Sequence, residues 1–238
     1  MNVRSFVRIL LILAAGTGLG VAAELWRERA AEHSVDLRDF DGAAVGKLDT
    51  DMWRSYYERR PVRLFGQMIA LLRTQYHMGP VMAAMNGYRA AHAAFVFKDG
   101  TSRADYERAL ADLERYYADI STLAVAPFDS REAARLELAW WILHREGSPD
   151  LDTGLAKVQA VIYHVPEREF AEHAQLRATA MILRDSKGGR ITNDDWERIG
   201  KLLNRSWLSL YAVVNGKTLA RGGEELQFIR NGFRAPGF

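Results

Sequence analysis

The sequence predicts an all-α fold, a bundle of about seven helices preceded by a hydrophobic N-terminal helix. Only 6 of the 238 residues are proline, while the strong helix formers alanine and arginine are abundant. Apolar residues recur three or four positions apart through most of the chain, which is the period of a helix with one buried face. No stretch beyond residue 45 has the enrichment in β-branched and aromatic residues that is typical of strands.

The composition limits the classes of function. With 48% hydrophobic and 26% charged residues, a chain of 238 residues can bury a sizeable core. Its 32 lysines and arginines are nearly balanced by 30 aspartates and glutamates, so the basic charge typical of nucleic-acid-binding proteins is missing and we expect no nucleic-acid partner. The lack of cysteine excludes disulfides, thiolate metal sites and cysteine nucleophiles.

The N-terminus has the pattern of a membrane-targeting segment. Arg4 and Arg8 precede residues 9–23, which carry no charge. This apolar run is shorter than the about 20 residues that span a bilayer, although flanking apolar residues lengthen it. Small residues at 21–23 would suit a signal peptidase, whereas Trp26 would suit an interfacial anchor that is retained, and we favour the anchor. The membrane is thus an expected partner, with the following domain on the extracytoplasmic side.

The same residues also allow a nucleotide-binding interpretation. In it, residues 9–13 form a buried strand, Gly16, Gly18 and Gly20 form a phosphate loop, and residues 35–41 form a second strand. The glycine spacing is G-x-G-x-G instead of G-x-G-x-x-G, and no further strands are predicted. We therefore prefer the membrane helix.

The chain divides into four predicted segments and seven predicted helices. Residues 1–26 are a signal anchor or signal peptide, residues 27–47 a linker, residues 48–214 the helical domain, and residues 215–238 an irregular tail. The helices are predicted over 48–77, 80–97, 102–123, 129–145, 150–165, 167–184 and 192–214.

Local signals justify these boundaries in order. The first helix has Asp49 or Thr50 as a candidate N-cap, and Pro61 predicts a kink or break within it near Glu58. Lys98, Asp99 and Gly100 end the second helix, and Ser102 caps the third. Asp129 or Ser130 begins the fourth. The sequence His164-Val165-Pro166 separates the fifth from the sixth, Lys187-Gly188-Gly189 follows the sixth, and Asn215-Gly216 ends the seventh.

Apolar periodicity predicts which faces are buried. In the Ala- and Gly-rich helix over 80–97, the predicted inward stripe is Val81, Met85, Tyr88, His92 and Phe95. Residues 136–143 are apolar on every face except at Glu137, so their helix should be the most buried. In the last helix, Trp196, Ile199, Leu203 and Leu210 should face inward.

Polar residues on or beside apolar helical faces are the candidates for a binding cleft, because burying a polar group costs free energy unless it is paired or used. Eight residues qualify: Arg54, Tyr57, Glu58, Tyr88, His92, Glu137, His144 and Arg177. Arg54 and Glu58 either line a polar pocket or form an intrahelical ion pair, which we favour. His92 is interpreted as an inward histidine, more often hydrogen-bonded in the core than a ligand.

Glu137 and Arg177 are the strongest acid and base candidates in the last four predicted helices. Glu137 shares a helix face with Trp141 and His144, and a buried carboxylate there could be a metal ligand or a base of raised pKa. Arg177 lies among small and apolar residues, so a salt bridge to Glu137 or Glu58 is expected. We favour this structural role for both.

A helical-bundle metal-dependent enzyme is the alternative function. Glu58, His92 and Glu137 would be its ligands, but the Glu-x-x-His pairs of di-iron bundles are missing, as are the other hydrolase and phosphate-loop motifs. We expect no cofactor and favour a protein without catalytic activity. The expected function is that of a membrane-anchored or exported helical domain that acts through binding or structural interaction with a protein or small molecule.

Overall fold

The structure is a computed structural model that describes residues 20–28, 30 and 32–217. In these residues it contains helices and no strand, which confirms the all-α prediction. Nine α-helices lie between residues 42 and 214. They are α1 (Gly42–Tyr57), α2 (Pro61–Tyr76), α3 (Pro80–Asp99), α4 (Arg103–Glu107), α5 (Leu110–Leu123), α6 (Ser130–Arg145), α7 (Leu151–Tyr163), α8 (Ala171–Lys187) and α9 (Asn193–Val214).

Nine helices replace the predicted seven because two predicted helices are divided. The break predicted from Pro61 is confirmed: α1 ends at Tyr57, Arg59 adopts a left-handed φ of 56°, and Pro61 is the first residue of α2. The helix predicted over 102–123 is divided at Arg108 and Ala109, which separate the short α4 from α5. Two 3-10 turns, Glu167–Phe170 and Gly188–Arg190, flank α8.

Helix α1 begins six residues before the predicted start at residue 48. Its N-cap is Asp41, whose carboxylate accepts hydrogen bonds from the backbone amides of Ala43 and Ala44. Neither Asp49 nor Thr50 is the cap. Gly46 lets α1 approach α9 closely, because a Cβ at this position would lie 2.8 Å from the Cα of Asn204.

Residues of the predicted linker, 27–47, are packed on the helical domain. Val35 exchanges backbone hydrogen bonds with Leu123 and Val125 at the end of α5, at 2.9 and 2.8 Å. This contact is an isolated bridge, so the second strand of the nucleotide-binding interpretation does not form. In the glycine loop of that interpretation, Gly16 and Gly18 lie outside the described residues, which begin at Gly20. Phe40 is buried against the rings of Trp207 and Tyr211 in α9.

Glu28 fixes the upstream segment to the domain. Its carboxylate is buried at the start of α3, where it accepts hydrogen bonds from the backbone amides of Val81, at 3.0 Å, and Met82, at 2.8 Å. These amides have no partner within α3, and a negative charge is favourable at a helix N-terminus. No helix in the described residues is both long and apolar enough to cross a bilayer. The predicted membrane segment, 1–26, lies mainly outside them.

The helices close into a ring. From α1 to α9, each long helix packs on the next in sequence, and α9 packs extensively on α1. The short α4 lies on α3 and α6. The ring leaves space between α1, α2, α3, α6 and α8, and this space is the cleft described below.

Burial differs from the predicted pattern in α6. The inward residues predicted for α9, Trp196, Ile199, Leu203 and Leu210, are all buried, and this prediction is confirmed. The prediction that the helix over 136–143 is the most buried is wrong, because Leu138 is its one buried residue there and the others are half-buried or exposed. Part of its apolar surface lines the cleft instead of the core.

Candidate binding cleft

A cleft of about 590 Å³ opens inside the ring. Its volume lies within the range of about 300–1,000 Å³ that is typical of small-molecule sites. Seven of its 21 lining residues are aromatic: Trp53, Tyr56, Tyr57, Phe95, Phe97, Trp140 and Trp141. Of the other 14 lining residues, seven are methionine, leucine or alanine and seven are ionisable. The cleft therefore presents a mainly apolar, aromatic surface to a ligand.

Asp49 and Arg177 form a buried ion pair in the wall of the cleft. The Arg177 guanidinium donates to the Asp49 carboxylate, which also accepts a hydrogen bond of 2.8 Å from the indole nitrogen of Trp207. Burial opposes the charge on Arg177, but Asp49 outweighs this effect and the pKa of Arg177 is raised. The prediction that Arg177 forms a salt bridge with Glu137 or Glu58 is therefore wrong, because its partner is Asp49 on α1.

Glu137 lies in the same cleft and is held by neutral donors. Its carboxylate accepts hydrogen bonds from the Tyr117 hydroxyl, at 2.9 Å, and from the Trp141 indole, at 3.0 Å. Burial raises the pKa of Glu137, while these hydrogen bonds and the charge of Arg177 act in the opposite direction. The upward shift of the pKa is the direction that the sequence analysis considered for Glu137. The carboxylate has no ion-pair partner among the described residues.

The rim of the cleft carries further charged groups. The imidazole of His144 lies 2.8 Å from the carboxylate of Asp185. Arg145 donates to the backbone oxygens of Gly100 and Lys98 at the end of α3, and its guanidinium lies 4.2 Å from the centre of the Phe97 ring. These contacts connect α6 to α3 and α8 across the opening.

Arg54, Tyr57 and Glu58 line a second, smaller pocket of about 280 Å³. The favoured ion pair is present, with the Arg54 Nε 2.7 Å from the Glu58 carboxylate. The guanidinium of Arg184 covers the ring of Tyr57 at 3.5 Å. Burial raises the pKa of Tyr57 to about 12. Tyr57 reaches both pockets, whereas Arg54 and Glu58 line only the second.

Tyr88 and His92 line neither pocket, and their predicted inward orientation is wrong. Tyr88 is 62% exposed, and the half-exposed ring of His92 stacks on Tyr88 and contacts the Asp112 carboxylate at 2.6 Å. The opposite face of α3, which includes Met82 and Ala93, is buried. Because alanine and glycine occupy both faces of this helix, apolar periodicity does not distinguish the buried face from the exposed one.

The structure brings together four of the eight candidates, Tyr57, Glu137, His144 and Arg177, in the larger cleft. It does not gather the alternative metal ligands Glu58, His92 and Glu137. Among the described residues, no group of three or more histidine, aspartate or glutamate side chains is placed to hold a metal ion.

Sequence reasoning missed Asp49 and most of the aromatic wall. Asp49 follows Val45 by four positions and precedes Trp53 by four, so it lies on the apolar face of α1. This signal was hidden because the helix was predicted to begin at residue 48. Trp140 and Trp141 were interpreted as core residues, and no feature of one sequence separates an aromatic residue in a core from one in a cleft.

The chain was compared with protein-family models, with curated proteins and with solved structures, and none of these matches it. The functional interpretation therefore depends on the geometry of the cleft.

Proposed function

We propose that this protein binds a small amphipathic molecule in the cleft inside the helical ring. The observation that carries the proposal is the combination of a 590 Å³ cleft, seven aromatic lining residues and a few polar groups among them. Small-molecule sites characteristically have apolar walls and a small number of fixed polar groups that orient the ligand.

The polar groups of the cleft support binding because their positions are fixed by contacts within the protein. Arg177 is held by Asp49, Glu137 by Tyr117 and Trp141, and His144 lies against Asp185. A site whose side chains are already ordered loses less conformational entropy when a ligand enters. Tyr56 and Phe95, which are 40% and 51% exposed, extend the aromatic surface to the mouth of the cleft.

The proposal can be tested with N-phenyl-1-naphthylamine, an uncharged dye that fluoresces in apolar sites. The full-length chain should bind it saturably, with one dye per protein. Ala94→Phe would place a large ring in the cleft and should abolish this binding, whereas Ala111→Phe changes an exposed alanine of α5 and should not. Equal binding by the two variants, or no saturable binding by the unchanged chain, would contradict the proposal.

We also propose that the domain is attached to a membrane, or exported, through residues 1–26. The support is the sequence pattern of Arg4 and Arg8 before an uncharged segment. Alkaline phosphatase fused after Phe238 should be active, because this enzyme requires the oxidising extracytoplasmic side. If the alkaline phosphatase fusion is inactive, and a fusion to a reporter that works only in the cytoplasm is active, the proposed orientation is wrong.

A further inference from the structure

We infer that the preferred ligand carries a positive charge beside an apolar body, as an organic ammonium ion does, and that Glu137 receives this charge. The inference rests on the proposed function, since it names the chemical class of ligand for the same cleft.

The first argument is the pairing of charges inside the cleft. The charged residues that line it are three carboxylates, Asp49, Glu137 and Asp185, and three cations, Lys98, Arg145 and Arg177. Arg177 forms its ion pair with Asp49, whose side chain is only 4% exposed. The described residues therefore give Glu137 hydrogen bonds from a hydroxyl and an indole but no cationic partner within ion-pair distance. A ligand cation would supply the missing charge.

The second argument is the position of two tryptophan rings. Trp140 and Trp141 follow Glu137 by three and four residues on α6, so their rings lie near its carboxylate on the side that lines the cleft. The two rings are nearly perpendicular, with an interplanar angle of 82° and centres 6.1 Å apart. The faces of tryptophan rings attract cations, and proteins bind quaternary ammonium ligands in cages of aromatic rings.

The third argument is that other aromatic residues of this cleft already contact cations from the chain itself. The guanidinium of Arg145 lies 4.2 Å from the Phe97 ring centre, that of Arg177 lies 5.5 Å from Trp53, and that of Arg184 lies 3.5 Å from Tyr57. In the part of the chain that the structure describes, no arginine or lysine covers Trp140 or Trp141 in this way. Both residues are half-buried and line the cleft, so their rings are candidates for contact with a cation from outside.

An anionic ligand fits the same groups less well. It would have to use Arg177, whose charge is neutralised by Asp49, Arg145, whose guanidinium is bonded to two backbone oxygens, or Lys98, which is exposed to solvent. It would also approach the carboxylates of Glu137 and Asp185, which line the cleft. Repulsion from these two groups favours the cation.

The test uses three probes with one apolar body and different charges: 4-phenylbutylamine, 4-phenylbutan-1-ol and 4-phenylbutyrate. Their binding to the full-length chain is measured by calorimetry at pH 8, where the amine is charged. The amine should bind about tenfold more tightly than the alcohol, and the butyrate should bind most weakly.

Two variants assign the preference to Glu137. Glu137→Gln keeps the size of the side chain and should abolish the tenfold preference for the amine over the alcohol. The control is Glu132→Gln, which removes an exposed carboxylate from the same helix and should leave all three affinities unchanged. If Glu137→Gln does not fold, Trp140→Leu provides the test, since it should weaken amine binding more than alcohol binding.

The outcomes separate the two proposals. Equal binding of the amine and the alcohol would overturn the preference for a cation and leave the small-molecule site intact. Tighter binding of butyrate would overturn it in favour of recognition by Arg177. If none of the three probes binds and the uncharged dye does not bind either, the proposed function fails, and the preference for a cation fails with it.

Discussion

At the scale of single residues, the buried pair of Asp49 and Arg177 joins two helices that are distant in sequence. Asp49 lies on α1 and Arg177 on α8, and the indole of Trp207 on α9 completes the hydrogen bonding of the carboxylate. Removing one member of a buried pair leaves a charge without compensation in a medium of low polarity.

Arg177→Met or Asp49→Leu alone should therefore lower the free energy of unfolding by about 3–5 kcal/mol. The double variant should recover most of this loss, less about 1 kcal/mol because the Trp207 indole would have no acceptor. Chemical denaturation of all three variants measures these values. Arg103→Met, which breaks an exposed ion pair with Glu146, is the control and should cost less than about 1 kcal/mol. If either single variant is as stable as the unchanged chain, the ion pair of Asp49 and Arg177 does not have this role in stability.

His173 should make the domain sensitive to acid. Burial lowers the pKa of His173 to about 4, and its Nδ1 lies 3.0 Å from the backbone oxygen of Ser206. Its Nε2 is buried and has no hydrogen-bond partner among the residues that the structure describes, so protonation would place an unsatisfied donor in the core. Because the pKa in the folded state is lower than the value of about 6.5 in the unfolded chain, stability is complete above pH 6.5 and decreases as the pH falls toward 4.

Between pH 7.5 and pH 5, this histidine should reduce the free energy of unfolding by about 2 kcal/mol. Urea denaturation at the two pH values measures the change, and His173→Asn should reduce the difference between them. His164→Asn alters an exposed histidine and serves as the control, so it should retain the difference. If His173→Asn retains the full pH dependence, the assignment to this residue is wrong.

Two ion pairs show which contacts of the site can be predicted from a single sequence. The ion pair of Arg54 with Glu58 was predictable, because partners four positions apart on one helix must be neighbours. The partner of Arg177 was not, because Asp49 is 128 positions away and the pairing depends on which helices meet. Spacing within a helix determines local pairs, while packing determines distant ones.

At the scale of the element, α1 and α9 approach each other where Gly46 contacts the backbone of Asn204. A methyl group at position 46 would lie 2.8 Å from the Asn204 Cα, so the two helices would have to separate. Gly46→Ala should therefore lower the free energy of unfolding by about 1–3 kcal/mol, as measured by thermal denaturation.

The control for this prediction is Gly66→Ala on α2. Apart from its two chain neighbours and the backbone of α2, no atom of the described residues lies within 4 Å of a Cβ built at this position, so the substitution should be neutral or should stabilise the protein by up to about 1 kcal/mol. If both substitutions have the same effect, the close approach of α1 to α9 is not required for stability.

The N-terminus of α3 depends on Glu28, a residue outside the ring. Glu28→Ala would remove the acceptor of the Val81 and Met82 amides, and hydrogen exchange at these two amides should become at least about tenfold faster. The free energy of unfolding should fall by about 1 kcal/mol. Glu24→Ala, which removes an exposed carboxylate bonded to Arg27, should change neither quantity. Unchanged exchange in Glu28→Ala would show that this contact does not hold the helix end.

The existence of most elements was predictable, and some of their boundaries and faces were not. Pro61 predicted a real break because it lacks the backbone donor that a continuous helix requires. The start of α1 was missed because its cap, Asp41, comes before an Ala- and Gly-rich stretch with weak periodicity. The buried face of α3 was missed for a similar reason, since Tyr88 and Phe95 could pack or be exposed with equal ease.

At the scale of the whole molecule, the arrangement of the helices determines the cleft. The sequence predicted the all-α class correctly, but the closure of the ring and the space inside it follow from tertiary packing, which helical periodicity does not encode. Tyr57, Glu137, His144 and Arg177 were identified because polar residues among apolar ones are conspicuous in a sequence. Their aromatic neighbours were not conspicuous, because apolar residues are the normal content of a helical face.

The packing of α9 on α1 also affects the order in which the molecule can form during translation. During translation α1 leaves the ribosome well before α9, residues 193–214, which packs on it. Until α9 is available, α2 can pack on α1, but the face of α1 that meets α9 stays uncovered. A nascent chain of this protein should therefore be a substrate for chaperones until α9 has emerged, and any route that carries the chain across a membrane unfolded would delay the final closure until after transport.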